Sequence, residues 1–273
     1  LIKSGTGTLV LNHDSNLTTE TLIQNGRLTL GTLKAAGTGD FRIAAENGLS
    51  TRLDLASSQN NMVTTNNIFV DSCKDNTIWF SQDNIQLEGK LTIAENAVAQ
   101  ISGGYQNYMT VKELEGLGEL VLINSHRDGT WGWGGGATLI TDTKKKTGWG
   151  ASVLLNGANT KFSGNVTVLD LMNSVESKNF GNQIVIGHAS ALARSVVTLT
   201  GYGSALALGS DTGSIKGLNG DGWVWTATDS DNKLYRLTIT PDKNHVFSGI
   251  VKDQNGSGLG SGKLSLEMNG TGS

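Results

Sequence analysis

The apolar residues of this chain come in short alternating runs. TLVLN (Thr8 to Asn12), RLTLG (Arg27 to Gly31), KLTIA (Lys90 to Ala94), ELVLIN (Glu119 to Asn124), SVLLNG (Ser152 to Gly157) and NVTVLD (Asn165 to Asp170) place an apolar side chain at every second position. QIVIG (Gln183 to Gly187), VVTLT (Val196 to Thr200), ALALG (Ala205 to Gly209), RLTIT (Arg236 to Thr240) and KLSLE (Lys263 to Glu267) are further short runs, and most of the eleven alternate apolar with polar. A period of two is that of a strand with one buried face. Turn signals bound the runs: Asn25-Gly26, Asn47-Gly48, Asn156-Gly157, Asn219-Gly220 and Asn255-Gly256. The best helical stretch, His188 to Arg194, is at most a short loop helix or a turn.

Many short strands at even spacing suit a sandwich, a barrel or a solenoid. Internal repeats separate these. GTGTLVLN at the start returns as GLGELVLIN (Gly116 to Asn124) and GWGASVLLN (Gly148 to Asn156). TKFSGNVTV (Thr160 to Val168) returns as HVFSGIVKD (His245 to Asp253). The copies are imperfect and irregularly spaced. A solenoid tolerates this because each coil touches only its neighbours and insertions leave as surface loops. The expected fold is therefore all-β: a right-handed parallel β-helix with loop insertions, of about 12 coils at roughly 22 residues each. Residues 1–273 read as one β-helix segment of a longer repetitive chain. The repeats are clearest in 1–31 and 147–273 and divergent in 32–114. Leu9, Leu11, Leu28, Leu30, Leu120, Leu122, Leu154, Val166, Val168, Val185 and Leu199 are the expected core. The competing outcome is antiparallel hairpins at the Asn-Gly pairs, which are strong hairpin signals.

Composition agrees with a solenoid. Gly reaches 37 and Pro 1, and only 16% of residues are charged. Gly and Asn supply the positive φ that corners need, and Pro would remove a ladder donor. A net charge of -3 gives no footprint for nucleic acid. No apolar run is long enough to insert in a membrane. Cys73 is the only cysteine, so no disulfide closes within the chain.

The stretch GWGASVLLNGANTKFSGNVTVLD resembles the autotransporter-associated β-strand repeat of Gram-negative passenger regions. The pattern is met by Gly148, Gly150, Val153, Leu155, Gly157, Asn159, Thr160, Gly164, Thr167 and Val168. Ile184 to Gly222 resembles its usual continuation, and Val246 to Gly272 its next copy. The resemblance implies a β-helix secreted from, or displayed on, the outer membrane of a Gram-negative-type bacterium, and names no activity.

Candidate chemistry is sparse. His13, His126, His188 and His245 are scattered. Asp229-Ser230-Asp231-Asn232-Lys233 begins like a calcium loop but lacks the later ligands. Asp54, Asp71, Asp75, Asp83, Glu113 and Glu115 stand singly, although Asp71 and Asp75 flank Cys73. No catalytic residue, metal ligand or cofactor is expected. Trp131, Trp133, Trp149, Trp223 and Trp225 are the candidate ligand-binding aromatics: two Trp at i, i+2 share a strand face and can stack on sugar rings, or else close a buried layer.

Expected partners are host glycans or cell-surface proteins. Copies of the chain are a further candidate, because Ser4 to Thr8 and Asn269 to Ser273 repeat one pattern in phase and head-to-tail stacking would continue it. The expected role is structural and adhesive, a stalk or fibre. The alternative is a polysaccharide lyase or glycosidase on the same scaffold.

Overall fold

In the computed structural model, the described residues are 1–45, 49–55, 62–71, 76–80, 84–103, 108–124, 152–159, 161–170, 182–227, 233–253 and 262–272. Every strand pairing among them is parallel. Two continuous sheets result, one of 11 strands and one of 12. Ile2 pairs with Leu22, Leu22 with Arg42, and Arg42 with Phe69, so the chain advances one coil per pairing. The 11-strand path sets the number of coils at 11, and it crosses the divergent stretch 32–114 without a break. The chain is a parallel β-helix.

Its coils have three strand-bearing sides, because some strands turn a corner. In Ile85–Ile93, Ile85 to Leu87 pair with Met62–Thr64, whereas Leu91 to Ile93 pair with Ile68–Val70. The register shifts between Leu87 and Lys90, where the strand bends. Leu192–Thr200 and Thr212–Gly220 bend likewise, with a shift between Leu192 and Val196. Side one starts at Ile2–Lys3 and side two at Thr8–Leu11. Side three carries Met62–Thr64, Ser152–Leu155, Gln183–Ile186, Ala205–Leu208 and Trp223–Thr226. In the first two coils side three has no strand, yet it still stacks: Ser15 N–H donates to Lys34 O at 3.1 Å and Thr38 N–H to Leu17 O at 2.8 Å.

One apolar core fills the tube, from Ile23 and Leu28 through Leu199 and Ile215 to Leu237. Of the expected core, Leu28, Leu30, Leu120, Leu122, Val166, Val168 and Leu199 are buried in it, and Leu9 and Leu11 pack half-buried against it. Leu154 differs, and Val185 is buried as expected but in another layer. Val153 and Leu155, not Leu154, point inward on Ser152–Leu155, and Leu154 packs outside. Val185 is buried but belongs to a second apolar layer on the outer surface of side three.

Asn25-Gly26, Asn156-Gly157 and Asn219-Gly220 mark corners between sides, not hairpins, and Asn47-Gly48 and Asn255-Gly256 lie outside the described residues. Gly26 and Gly220 have φ of 72° and 101°. A Cβ on Gly220 would lie 1.8 Å from Leu199 O, so the next coil passes only because the side chain is absent. The FSG repeat has a physical meaning here. Phe162 bridges to Gly116 and Phe247 to Gly220; Ser163 N–H donates to Gly116 O at 3.0 Å and Ser248 N–H to Gly220 O at 2.8 Å. Phe-Ser-Gly stacks on a Gly-x-Gly corner of the coil before it. The two copies occupy different corners, ahead of side two in one case and side three in the other. The sequence repeat is therefore a corner unit, used wherever the coil turns. Buried asparagines tie coils together as well. Asn66 Nδ2 donates to Gly37 O (3.1 Å) and Gly39 O (2.6 Å), and Asn159 Oδ1 accepts from Leu114 N–H (2.8 Å). The His188 to Arg194 stretch is a turn that runs into the strand Leu192–Thr200.

Candidate functional site

Alternation places every second residue of side two outside, and in-register stacking sets those residues in columns along the axis. Thr167 pairs with Thr198, and Thr198 with Asn219. Beside this column, Asn165 and Val196 immediately precede the inward residues Val166 and Val197, which pair. Two hollows open on this surface. One, of about 400 Å³, is lined by Glu119, Asn165, Thr167, Thr198, Asn219 and His245 among others. The other, of about 470 Å³, shares Glu119 and Asn165 and extends to Glu95, Asn96 and Leu117. Together they form one shallow groove, mostly polar, running along the helix axis.

The groove is built by close packing at one end. His245 lies flat on Gly217, where an added Cβ would stand 2.4 Å from Nε2. Its Nδ1 faces Asn219 Oδ1 at 3.3 Å, and the same oxygen accepts Val246 N–H at 3.1 Å. Thr167 Oγ1 donates to Glu119 Oε1 at 2.5 Å, which leaves the hydroxyl free as an acceptor. The side chains of Asn165 and Thr198 make no hydrogen bond among the described residues. Lys243 supplies the one ammonium of the lining. Among the expected histidines, only His245 reaches this surface; His188 bonds locally to Ser190, and His126 lies outside the described residues.

The tryptophan pair behaves differently. Trp223 and Trp225 share one face of Trp223–Thr226, as their spacing requires, while Val224 between them enters the main core. That shared face is covered: Trp225 is 0% exposed and Trp223 7%. They pack with Val185, Ala205, Ala207 and Ala227 in the outer layer. Tyr202 meets Trp223 edge-on at 5.1 Å, and its carbonyl accepts Trp223 Nε1–H at 2.6 Å. The Lys252 ammonium sits 4.3 Å above the Trp223 ring and 5.9 Å from that of Trp225, and burial pulls its pKa below the ordinary lysine value. The candidate sugar platform at Trp223 and Trp225 is thus a packed layer with a lysine on it. Trp131, Trp133 and Trp149 lie outside the described residues.

Among the described residues, the carboxylates singled out by sequence are each drawn to a basic side chain. Asp54, fully buried on the outer surface, is held between Arg27 and Arg52. Asp71 pairs with Arg42 at 3.0 Å. Glu115 pairs with Lys90 and Lys161, each at 3.0 Å, and Glu113 lies 3.7 Å from Lys90. Asp75, Asp83, Cys73 and the Asp229 to Asn232 run are outside the described residues. No group of three or more His, Cys, Asp or Glu side chains able to hold a metal occurs among the described residues.

No protein-family model matches the chain, and no curated protein and no solved structure matches it.

Proposed function

We propose that the chain is a stretch of a secreted or surface-displayed bacterial β-helix whose role is structural and adhesive. The observation that carries this reading is the uninterrupted stack of 11 coils, a rod bearing a polar groove on one side. A rod of this kind holds a binding surface at a fixed distance and resists bending, because each coil is tied to the next by a full ladder of hydrogen bonds. The likeness of Gly148 to Val168 to the autotransporter-associated repeat supports the same reading, under which the protein would act outside the cell. The partners would be glycans or glycosylated proteins of another cell.

The test is retention under flow. Beads coated with the protein are passed over a mucin layer and over cultured cells, and the medium is assayed for shortened polysaccharide. Retention without shortening is the expected result. Beads washed off both surfaces would overturn the adhesive role.

A second reading rests on one observation: Glu119, Lys243 and His245 all line one hollow. A carboxylate, an imidazole and an ammonium are the residue types that acid–base cleavage of a glycan uses. Shortened polysaccharide in the same assay, lost in Glu119→Gln, would establish that reading in place of the first.

A further inference from the structure

The groove on side two has a chemistry specific enough to name what it takes. It runs from the Glu95-Asn96 corner to His245, crossing about five coil steps, or about 24 Å at the usual strand spacing. Over three coils its floor is a polar column, since Thr167, Thr198 and Asn219 stand in register, with Val121 in that place one coil earlier. A ligand that matches this floor is extended, lies parallel to the axis and presents hydroxyl or amide groups along its length.

Three classes of polymer fit poorly. An extended peptide binds a sheet by adding a strand at an open edge. The groove lies on the face of a sheet whose strands already have neighbours on both sides, so main-chain pairing is not on offer. A polyanion meets Glu95 and Glu119 against the single ammonium of Lys243. An apolar ligand meets hydroxyls, amides and carboxylates, whose desolvation it cannot compensate. A neutral glycan meets none of these obstacles. Its hydroxyls both donate and accept. They suit the Glu119 carboxylate and the Thr167 hydroxyl as acceptors, and the unbonded Asn165 amide and Thr198 hydroxyl in either sense.

We propose that the side-two groove between Glu95 and His245 is the binding site of a neutral, extended oligosaccharide, held along the helix axis by Glu119, Asn165, Thr167 and Thr198. This rests on the adhesive reading for its biological role but not for its chemistry. Binding is hydroxyl-directed and weak per contact, as expected where little apolar surface is covered, and it gains with each coil spanned.

Isothermal titration with neutral hexasaccharides (cello-, xylo- and manno-hexaose) tests it, with hexagalacturonate and a capped Thr/Asn hexapeptide as controls. The expected result is saturable binding of at least one neutral hexasaccharide, weaker binding of its trisaccharide, and none of the controls. Asn165→Ala with Thr198→Val removes two partners that no other described group uses. It is expected to weaken binding about tenfold, at the lower end of two hydrogen bonds, with an unchanged thermal melt. Absence of binding by all three neutral hexasaccharides at millimolar concentration would overturn the proposal. So would an unchanged affinity in the double variant, or tighter binding of hexagalacturonate. Bead retention separates the two claims. Beads of the double variant that are retained like wild type leave the adhesive reading intact and remove the groove from it. Saturable groove binding by a protein whose beads are never retained keeps the groove and removes the adhesive role.

Discussion

Gly220 and Gly7 show how differently one residue type is used along this chain. Gly220 has φ of 101°, and a Cβ there would sit 1.8 Å from Leu199 O; nothing lies within 4 Å of a Cβ on Gly7. Gly220→Ala therefore forces two coils apart and is expected to destabilise by more than about 2 kcal/mol, while Gly7→Ala stays within about 0.5 kcal/mol of wild type. Denaturant melts of the two variants make the comparison. Asn159 is a second such position, with φ of 44° and its Oδ1 on the buried Leu114 N–H. Asn159→Ala strands that donor and is expected to cost about 1–3 kcal/mol. Trp225 is wholly enclosed, so Trp225→Ala is expected to cost about 3–5 kcal/mol and to leave oligosaccharide affinity unchanged. Loss of binding in a still-folded Trp225→Ala would show that the outer layer, not the groove, meets the ligand.

At the scale of the element, the ion pairs on the outer surface link successive coils. Burial by itself raises the Glu115 carboxyl, but the Lys161 and Lys90 ammonium groups, bonded to it and charged beside it, outweigh that effect and hold its pKa below the ordinary glutamate value. A carboxyl lowered in the folded state contributes its stability above the unfolded pKa, and that contribution is lost as pH falls through the folded value. Stability is thus expected to drop on acidification below the usual glutamate range. Glu115→Gln should flatten that part of the profile by about 1 kcal/mol, read by melts across the acid range. Elements also show what was legible beforehand. All eleven short apolar runs are strands; most record one buried face by alternation, while Gln183–Ile186 and Ala205–Leu208 are buried on both faces. Strands such as Thr21–Ile23, Asn76–Phe80 and Thr212–Gly220 were not legible. The first is too short to show a period. Trp79 takes an outward position under Arg52, so Ile78 to Phe80 reads as an unbroken apolar run without alternation. Thr212–Gly220 turns a corner and changes parity partway. The groove was illegible for another reason. Asn165, Thr198 and His245 become neighbours only through stacking, and each looks like an ordinary outward residue in its own segment. Aligning NVTV, VVTL and GLNG by their inward residues is the signal that would have exposed the column of Thr167, Thr198 and Asn219.

For the whole molecule the claim is a rod. Side-two residues Val10, in the first coil, and Val246, in the tenth, are both well exposed, and nine coil steps separate them by about 43 Å along the axis. The direct measurement is the electron–electron dipolar distance between spin labels at Val10→Cys and Val246→Cys in a Cys73→Ser background. A single narrow distribution centred near 43 Å, within the reach of the label tethers, is the predicted result. A broad distribution, or one centred at half that distance, would contradict the β-helix and with it the groove that the stacking builds.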